Sequence, residues 1–256
     1  MTRIFTKIFR HLNLNLAVIK IWFLNRRGFK TIKSAYDILL SMNPGDRTFE
    51  FYVAGSYGNF YSDRLRQIKS EFIFLDIGAN QGLYTLIAAQ NPFNITSYAF
   101  EPAPDAFDLL SLNVSLNKLD SNCVLVKKAI FKETSTAIIS IPDGHSGAAT
   151  ISSNNELTKD QNIKKIEIET ISGDNLSDII DDKNIPIVVK IDLEGADLEV
   201  IEQIVNSSLK DRIKEVYYEV DEEWADPEEY ETLFRSIGLS NFKKNGSGTH
   251  YDVLAT

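Results

Sequence analysis

The sequence predicts an α/β fold: an open, doubly wound, mostly parallel sheet, with a β-rich insertion after the third core strand and an N-terminal helical extension. Three observations predict it. Short, nearly continuous apolar runs such as Phe72-Ile-Phe-Leu75 and Ile187-Val-Val189 read as strands buried on both faces. Between such runs, apolar residues recur at helical spacing, as Leu83, Leu86, Ile87 and Leu198, Ile201, Val205 do. The strand ending at Asp76 also runs straight into a glycine-punctuated turn, Gly78-Ala79-Asn80-Gln81-Gly82, from which a helical pattern starts. In doubly wound sheets this place, beyond the carboxyl end of a strand, is where nucleotide-like ligands bind.

Of the chain's 27 Lys and Arg, eight fall in residues 1–36, which hold no Asp or Glu; the remainder carries 19 against all 36 acids. Within this basic leader, Ile4, Phe5, Ile8, Phe9 and Leu12 recur at helical spacing, and residues 14–24 are apolar except for Asn15 and Lys20. That is shorter than the roughly 20 apolar residues of a spanning helix. A signal peptide is opposed by the broken apolar middle and by Asn25-Arg26-Arg27 where a small-residue cleavage site belongs. Two readings stay open: a basic amphipathic segment lying on an anionic membrane surface, or an extension whose apolar face packs on the domain or on a second subunit. The turn Asn43-Pro44-Gly45-Asp46 divides this extension, residues 1–45, from a body of residues 46–256.

Within the body, residues 48–53 and 71–75 read as strands, followed by a helix over 82–90 that stops at Asn91-Pro92. A strand over 95–100 leads to a helix begun by Pro104 and Asp105. The third strand spans 123–130, and alternating strands over 136–141 and 163–170 flank a polar stretch. The sheet resumes at 187–191, with a helix over 196–206 and a strand over 216–220. Asp226-Pro227-Glu228-Glu229 supplies the cap, first-position proline and acids that open a helix ending at Gly238, and 249–255 reads as an edge strand.

Composition removes several function classes. At 256 residues, 43% of them hydrophobic, the chain is long enough to bury a sizeable core. The single cysteine, Cys123, excludes an internal disulfide framework and fits a reducing, cytoplasmic setting, at most peripheral to the inner membrane surface. Only three histidines occur, none at zinc spacing, so no structural zinc site is expected; Asp192 and Glu194 could hold a divalent ion, but nothing in the sequence requires a metal. An acidic body is a poor binder of nucleic acid.

The loop after Asp76 fits neither phosphate-binding pattern, Gly-x-Gly-x-x-Gly or Gly-x-x-x-x-Gly-Lys-Ser/Thr. A carboxylate beside the turn repels a pyrophosphate but can take up an ammonium or hydroxyl group, as S-adenosylmethionine offers; the alternative is a plain strand-to-helix turn. Glu101, 23 positions beyond Gly78 at a strand end, is placed to hold ribose hydroxyls. In Lys190-Ile-Asp192-Leu-Glu194-Gly195, two-residue periodicity sets the three charged side chains on one side if the strand persists. A lysine in so apolar a strand needs a carboxylate partner. Glu219 is expected in the adjoining strand. His145 lies in Pro142-Asp-Gly-His-Ser-Gly147, read as a mobile loop able to lid the cleft, and is, with His250, a further candidate base.

Residues 76–85 (Asp-Ile-Gly-Ala-Asn-Gln-Gly-Leu-Tyr-Thr), 99–104 (Ala-Phe-Glu-Pro-Ala-Pro) and 190–200 (Lys-Ile-Asp-Leu-Glu-Gly-Ala-Asp-Leu-Glu-Val) together resemble the FkbM family of S-adenosylmethionine-dependent methyltransferases. Stretches 110–117 and 171–176 resemble that family's intermediate segments, so the likeness spans roughly 71–221 in order. It implies a class I methyltransferase (Rossmann-like) fold and, typically, O-methylation of sugar or polyketide hydroxyls. Carried over, Asp76, Gly78, Asn80 and Gly82 would cradle the methionine portion and Glu101 the ribose, with Ala79, Tyr84, Pro102 and Asp192 completing the cofactor contacts. Asp192 and Glu194 match the family's second acidic motif; they, with Lys190, Glu219 and His145, are the candidate catalytic residues. Family members often carry histidine after the Glu-Val of the later strand, where this chain has Asp221. The expected reaction is transfer of a methyl group to a hydroxyl of a small-molecule or glycan acceptor. A cofactor-binding scaffold without methyl transfer is the alternative.

Overall fold

The computed structural model describes residues 2–151, 162–180 and 184–256, with side chains from residue 12 onward. The side chains of the amphipathic pattern read at residues 3–10, and residues 152–161 of the polar stretch between 141 and 163, lie outside what the structure describes.

Helix α1 (Thr2–Arg26) leads into a two-stranded hairpin, β1 (Thr31–Lys33) and β2 (Leu39–Ser41), then α2 (Arg47–Ala54) and α3 (Asn59–Gln67). The core alternates: β3 (Phe72–Ile77), α4 (Leu83–Ala89), β4 (Asn94–Phe100), α5 (Pro104–Leu116) and β5 (Cys123–Val126). Next come β6 (Ala129–Ile130), β7 (Thr136–Pro142) and β8 (Ile163–Ile171), which form a separate three-stranded sheet. The chain finishes with β9 (Ile187–Ile191), α6 (Asp197–Asn206), β10 (Ile213–Asp221), α7 (Pro227–Ser236), β11 (Phe242–Gly246) and β12 (His250–Ala255).

The main sheet has seven strands in the order β11-β12-β10-β9-β3-β4-β5. From β10 to β5 all neighbours are parallel, and β12 runs antiparallel to both β10 and β11. This is the doubly wound class I methyltransferase sheet, with the β-rich insertion after the third core strand. Alternate residues of β3 serve opposite faces. Ile73, Leu75 and Ile77 pack with Val200, Ile201 and Phe234 of α6 and α7, whereas Phe72 and Phe74 pack with Phe49, Leu86 and Leu110 of α2, α4 and α5. The order reverses between β3 and β9, so the carboxyl ends of these two strands open the crevice where such sheets bind ligands.

Three elements differ from the sequence expectation. Residues 48–53 form α2, not a strand: Asp46 caps it by accepting from Phe49 N at 2.8 Å, and left-handed Gly55 ends it. Phe49, Tyr52 and Val53 suit a strand by composition, but at three- and four-residue spacing they bury one helical face. Residues 123–130 are divided, β5 joining the main sheet and β6 the small one. β12 is not the edge; the edge is β11, whose polar Phe-Lys-Lys-Asn-Gly composition hid it.

Candidate active site

At the end of β3 the chain turns at once. Gly78 takes φ +76°, and a Cβ there would overlap the carbonyl oxygen of Asp192 and stand 2.9 Å from Leu193 Cδ2. Only glycine supplies both the left-handed backbone and the room, so the loop can close on the end of β9. Gly82, at φ +92°, opens α4 with Leu110 Cδ1 2.6 Å from where its Cβ would be. Ala79, 3% exposed, is packed inside the loop.

Below the loop lies a buried ionic core. Asp76 accepts from Thr85 Oγ1 at 2.6 Å through one oxygen, and its other oxygen stands 3.4 Å from Lys190 Nζ. Lys190 also donates to the Gly78 carbonyl at 2.8 Å and lies 3.4 Å from Asp192 Oδ2. Burial by itself would lower the lysine's pKa, but Asp192 and Asp76 outweigh it and hold the pKa raised, so the side chain stays cationic. The lysine expected to need a carboxylate partner thus has two. Asp76 and Lys190 support the loop from beneath and do not line either cleft described next.

The first of these is a pocket walled by Gly78, Asn80, Glu101, Pro102, Asp192 and Glu194, with apolar surface from Phe100, Ile130, Ile139 and Leu193. Glu101 is fixed at its wall: one oxygen accepts from Asn80 N and the other from Ala103 N, each at 2.8 Å. Desolvation raises its pKa to about 7 against the pull of those two amides. A desolvated carboxylate with acceptor capacity to spare suits a hydroxyl pair, and the apolar walls suit a flat ring. The pocket therefore fits S-adenosylmethionine: Glu101 would hold the ribose, Gly78 and Asn80 the amino-acid end, and Ile130 and Ile139 the base.

The second cleft is wider and polar. Thr48, Phe51, Phe60, Tyr84, Tyr217, Glu219, His250 and Asp252 line it, as do Asn13 of α1 and His145. Tyr84 thus lies on this side of the site. Four residues, Tyr57, Gly147, Asp192 and Glu194, border both cavities. β9 stops at Ile191, so Glu194 sits in the following turn instead of continuing the strand. Its carbonyl accepts from Thr150 Oγ1 at 2.5 Å, and its carboxyl is pushed up to about 6 by burial and then by Asp192. Glu219 is raised further by burial and by Asp192 and Glu194, which keeps it protonated at neutral pH. Its Oε1 stands 2.7 Å from His250 Nε2, and His250 Nδ1 stands 3.4 Å from Asp221 Oδ2. At Asp221, where the family often has histidine, the paired residue of β12 is this histidine.

His145 is half-buried at the cleft rim, where burial lowers its pKa, so the ring is neutral. The loop carrying it is not free. Asp46 Oδ2 accepts from Ser146 N at 2.9 Å, Thr48 Oγ1 accepts from Gly147 N at 3.0 Å, and Arg47 N donates to Gly144 O at 2.9 Å. These bonds tie the loop that the sequence suggests as a lid to α2 and its cap. Sequence reasoning also missed Tyr57, whose hydroxyl donates to Asp192 Oδ2 at 2.8 Å. Its one local signal was a tyrosine set between Gly55 and Gly58.

The model of the methyltransferase FkbM domain matches residues 76–240. The hexuronic acid methyltransferase AglP of Haloferax volcanii is 29% identical over 146 residues, 56% of this chain and 54% of that protein. This chain therefore spans about half the length of that relative. Among solved structures, M. jannaschii TYW2 in complex with AdoMet is 14% identical, with a TM-score of 0.47 over 87% of this chain and 82% of that one. The complex of aTrm5 with tRNALeu is 13% identical, with a TM-score of 0.46 over 88% and 51%.

Proposed function

The chain belongs to the FkbM family of methyltransferases, and we propose that it transfers a methyl group from S-adenosylmethionine to a hydroxyl of a sugar acceptor. The observation that carries this reading is the shared wall: Asp192 and Glu194 border both the pocket that fits the cofactor and the wider polar cleft. The cofactor, when bound, supplies a methyl group already activated on a sulfonium.

What the chain adds is orientation and a proton acceptor. Tyr57 and Lys190 both hold Oδ2 of the Asp192 carboxylate at the junction. Glu194, at about 6, is deprotonated at neutral pH yet basic enough to take the acceptor's proton. Glu219, held protonated, is not the base of the cleft.

A sugar is supported by the cleft's mixture of aromatic and convergent polar groups and by the hexuronic acid specificity in the relative's name. The cleft's own carboxylates oppose an anionic acceptor, which favours a neutral or amino sugar over a uronate. Calorimetric titration with S-adenosylmethionine followed by labelled methyl transfer to neutral hexoses, hexosamines and uronic acids tests this. Absence of cofactor binding overturns the cofactor reading, binding without transfer to any sugar overturns the reaction, and transfer to uronic acids alone overturns the acceptor's charge.

A further inference from the structure

Helix α1 carries two apolar faces. Leu14, Ala17 and Ile21 are buried, and the last two join the cluster containing Ile32, Phe49 and Val53. This satisfies the packing reading of the extension. On the opposite side Leu12, Leu16, Ile19 and Phe23 repeat at four-, three- and four-residue spacing and are 52%, 56%, 62% and 44% exposed. A helix with one face in the core does not need a second apolar stripe for folding. Trp22 beside the stripe is 57% exposed, and so is Phe29 just past the helix, at 51%.

The charge around the stripe is of one sign. Arg26 lies over the Trp22 ring at 5.0 Å and Arg27 over the Phe23 ring at 4.1 Å. Among the described residues no carboxylate forms an ion pair with Arg26, Arg27 or Lys30. Trp and Arg together at the end of an apolar stripe is the composition of a headgroup boundary, where the rings and guanidinium groups stay at the polar level. Among the described residues no helix is long and apolar enough to cross a membrane.

We propose that this outer face of α1 is a docking surface for an anionic lipid bilayer, with the helix lying in the interface plane. Residues 1–36 hold eight cations and no acid, whereas the rest of the chain has 36 acids against 19 cations. An anionic surface therefore attracts α1 and repels the body, which fixes the orientation. A second copy is a poorer occupant, because isologous pairing of this face brings two basic collars together. Asn13 of the same helix lines the wide cleft, so docking sets the cleft mouth beside the lipid surface.

The test uses the full chain carrying Trp224→Phe, which leaves Trp22 as the sole tryptophan. It is titrated with vesicles of phosphatidylcholine alone and of phosphatidylcholine with phosphatidylglycerol, following emission and co-sedimentation. Expected are a blue shift and pelleting with the anionic vesicles only, reversed by salt. Ile19→Glu with Phe23→Glu should abolish both, with circular dichroism unchanged. Arg26→Gln and Arg27→Gln should each weaken binding about fivefold. Binding to neither vesicle, equal binding to both, or binding indifferent to the Ile19/Phe23 pair overturns the proposal. A dimer in sedimentation velocity that the same pair disperses, without vesicle binding, would replace it with self-association.

Discussion

Lys190 Nζ donates to the carbonyl oxygen of Gly78 at 2.8 Å, and that bond ties the conformation of the loop after β3 to the charge buried under β9. The same ammonium neutralises Asp76 and Asp192, both 3.4 Å away. Lys190→Met keeps the stem and removes the charge, leaving two carboxylates without their counter-ion. We expect a loss of about 3–5 kcal/mol in urea unfolding, together with loss of S-adenosylmethionine binding. A variant within 1 kcal/mol of wild type, on the order of an exposed ion pair, would show that the trio is not a structural unit.

Gly78→Ala should separate the loop's shape from overall folding. The new methyl meets the Asp192 carbonyl in a left-handed backbone, a local strain of about 1–3 kcal/mol. Circular dichroism should stay that of a folded α/β protein while calorimetry shows cofactor affinity lowered at least about tenfold, since the amide positions that meet the ligand are displaced. Unchanged affinity would mean that the loop does not contact the ligand.

Glu101 carries a pH signature whose sign follows from its pKa near 7 against the ordinary 4.5. Between those values the folded protein holds a proton that the unfolded chain has lost, so this group's contribution to stability falls as pH rises from about 4.5 to 7. Ribose hydroxyls donate best to the ionised form, so cofactor affinity should strengthen as pH rises toward about 7 and level off above it. Glu101→Gln should flatten both profiles. If its affinity profile retains the wild-type slope, Glu101 is not the ribose ligand.

Tyr57→Phe removes the 2.8 Å bond to Asp192 and nothing else that the ring provides. Burial, then Asp192, keeps the tyrosine's pKa raised, so the hydroxyl always donates. Unfolding should cost about 0.5–1.5 kcal/mol less, with cofactor affinity nearly intact and methyl transfer slowed by on the order of tenfold or more. A variant with wild-type turnover would remove Tyr57 from the site.

Glu194→Gln addresses the proton acceptor directly. With the group at about 6 in the native protein, kcat should rise with pH through that value and level off above it. The variant should lose about 10²–10⁴-fold in rate and retain cofactor binding. A variant that keeps both the rate and the pH dependence would pass the role to Asp192 or His145.

Several of these residues were legible because their chemistry is local. Asp76, Gly78, Glu101 and Asp192 stand at the ends of apolar runs, and a strand end in a parallel sheet is a defined place whatever surrounds it. α2 was not legible, because Phe49, Tyr52 and Val53 are as acceptable to a strand as to a helix. The cap from Asp46 decides the matter, and the same side chain also accepts from Gln81 Nε2 at 2.8 Å. Nor could the spacing show that the loop around His145 is bonded down, since its anchors come from residues about 100 positions earlier.

By itself the sequence determined the α/β alternation, the glycine loop, the acid that follows it and the basic leader, because each depends on short-range spacing or residue type. Only the tertiary structure decided which way the side chains turned. It buried Asp76 under the loop, brought Tyr57 to Asp192 across 135 positions, set His250 between Glu219 and Asp221, and left one face of α1 open. Periodicity says which residues share a face of one element. Which elements meet, and which face goes without a partner, is settled by packing between segments distant in the chain.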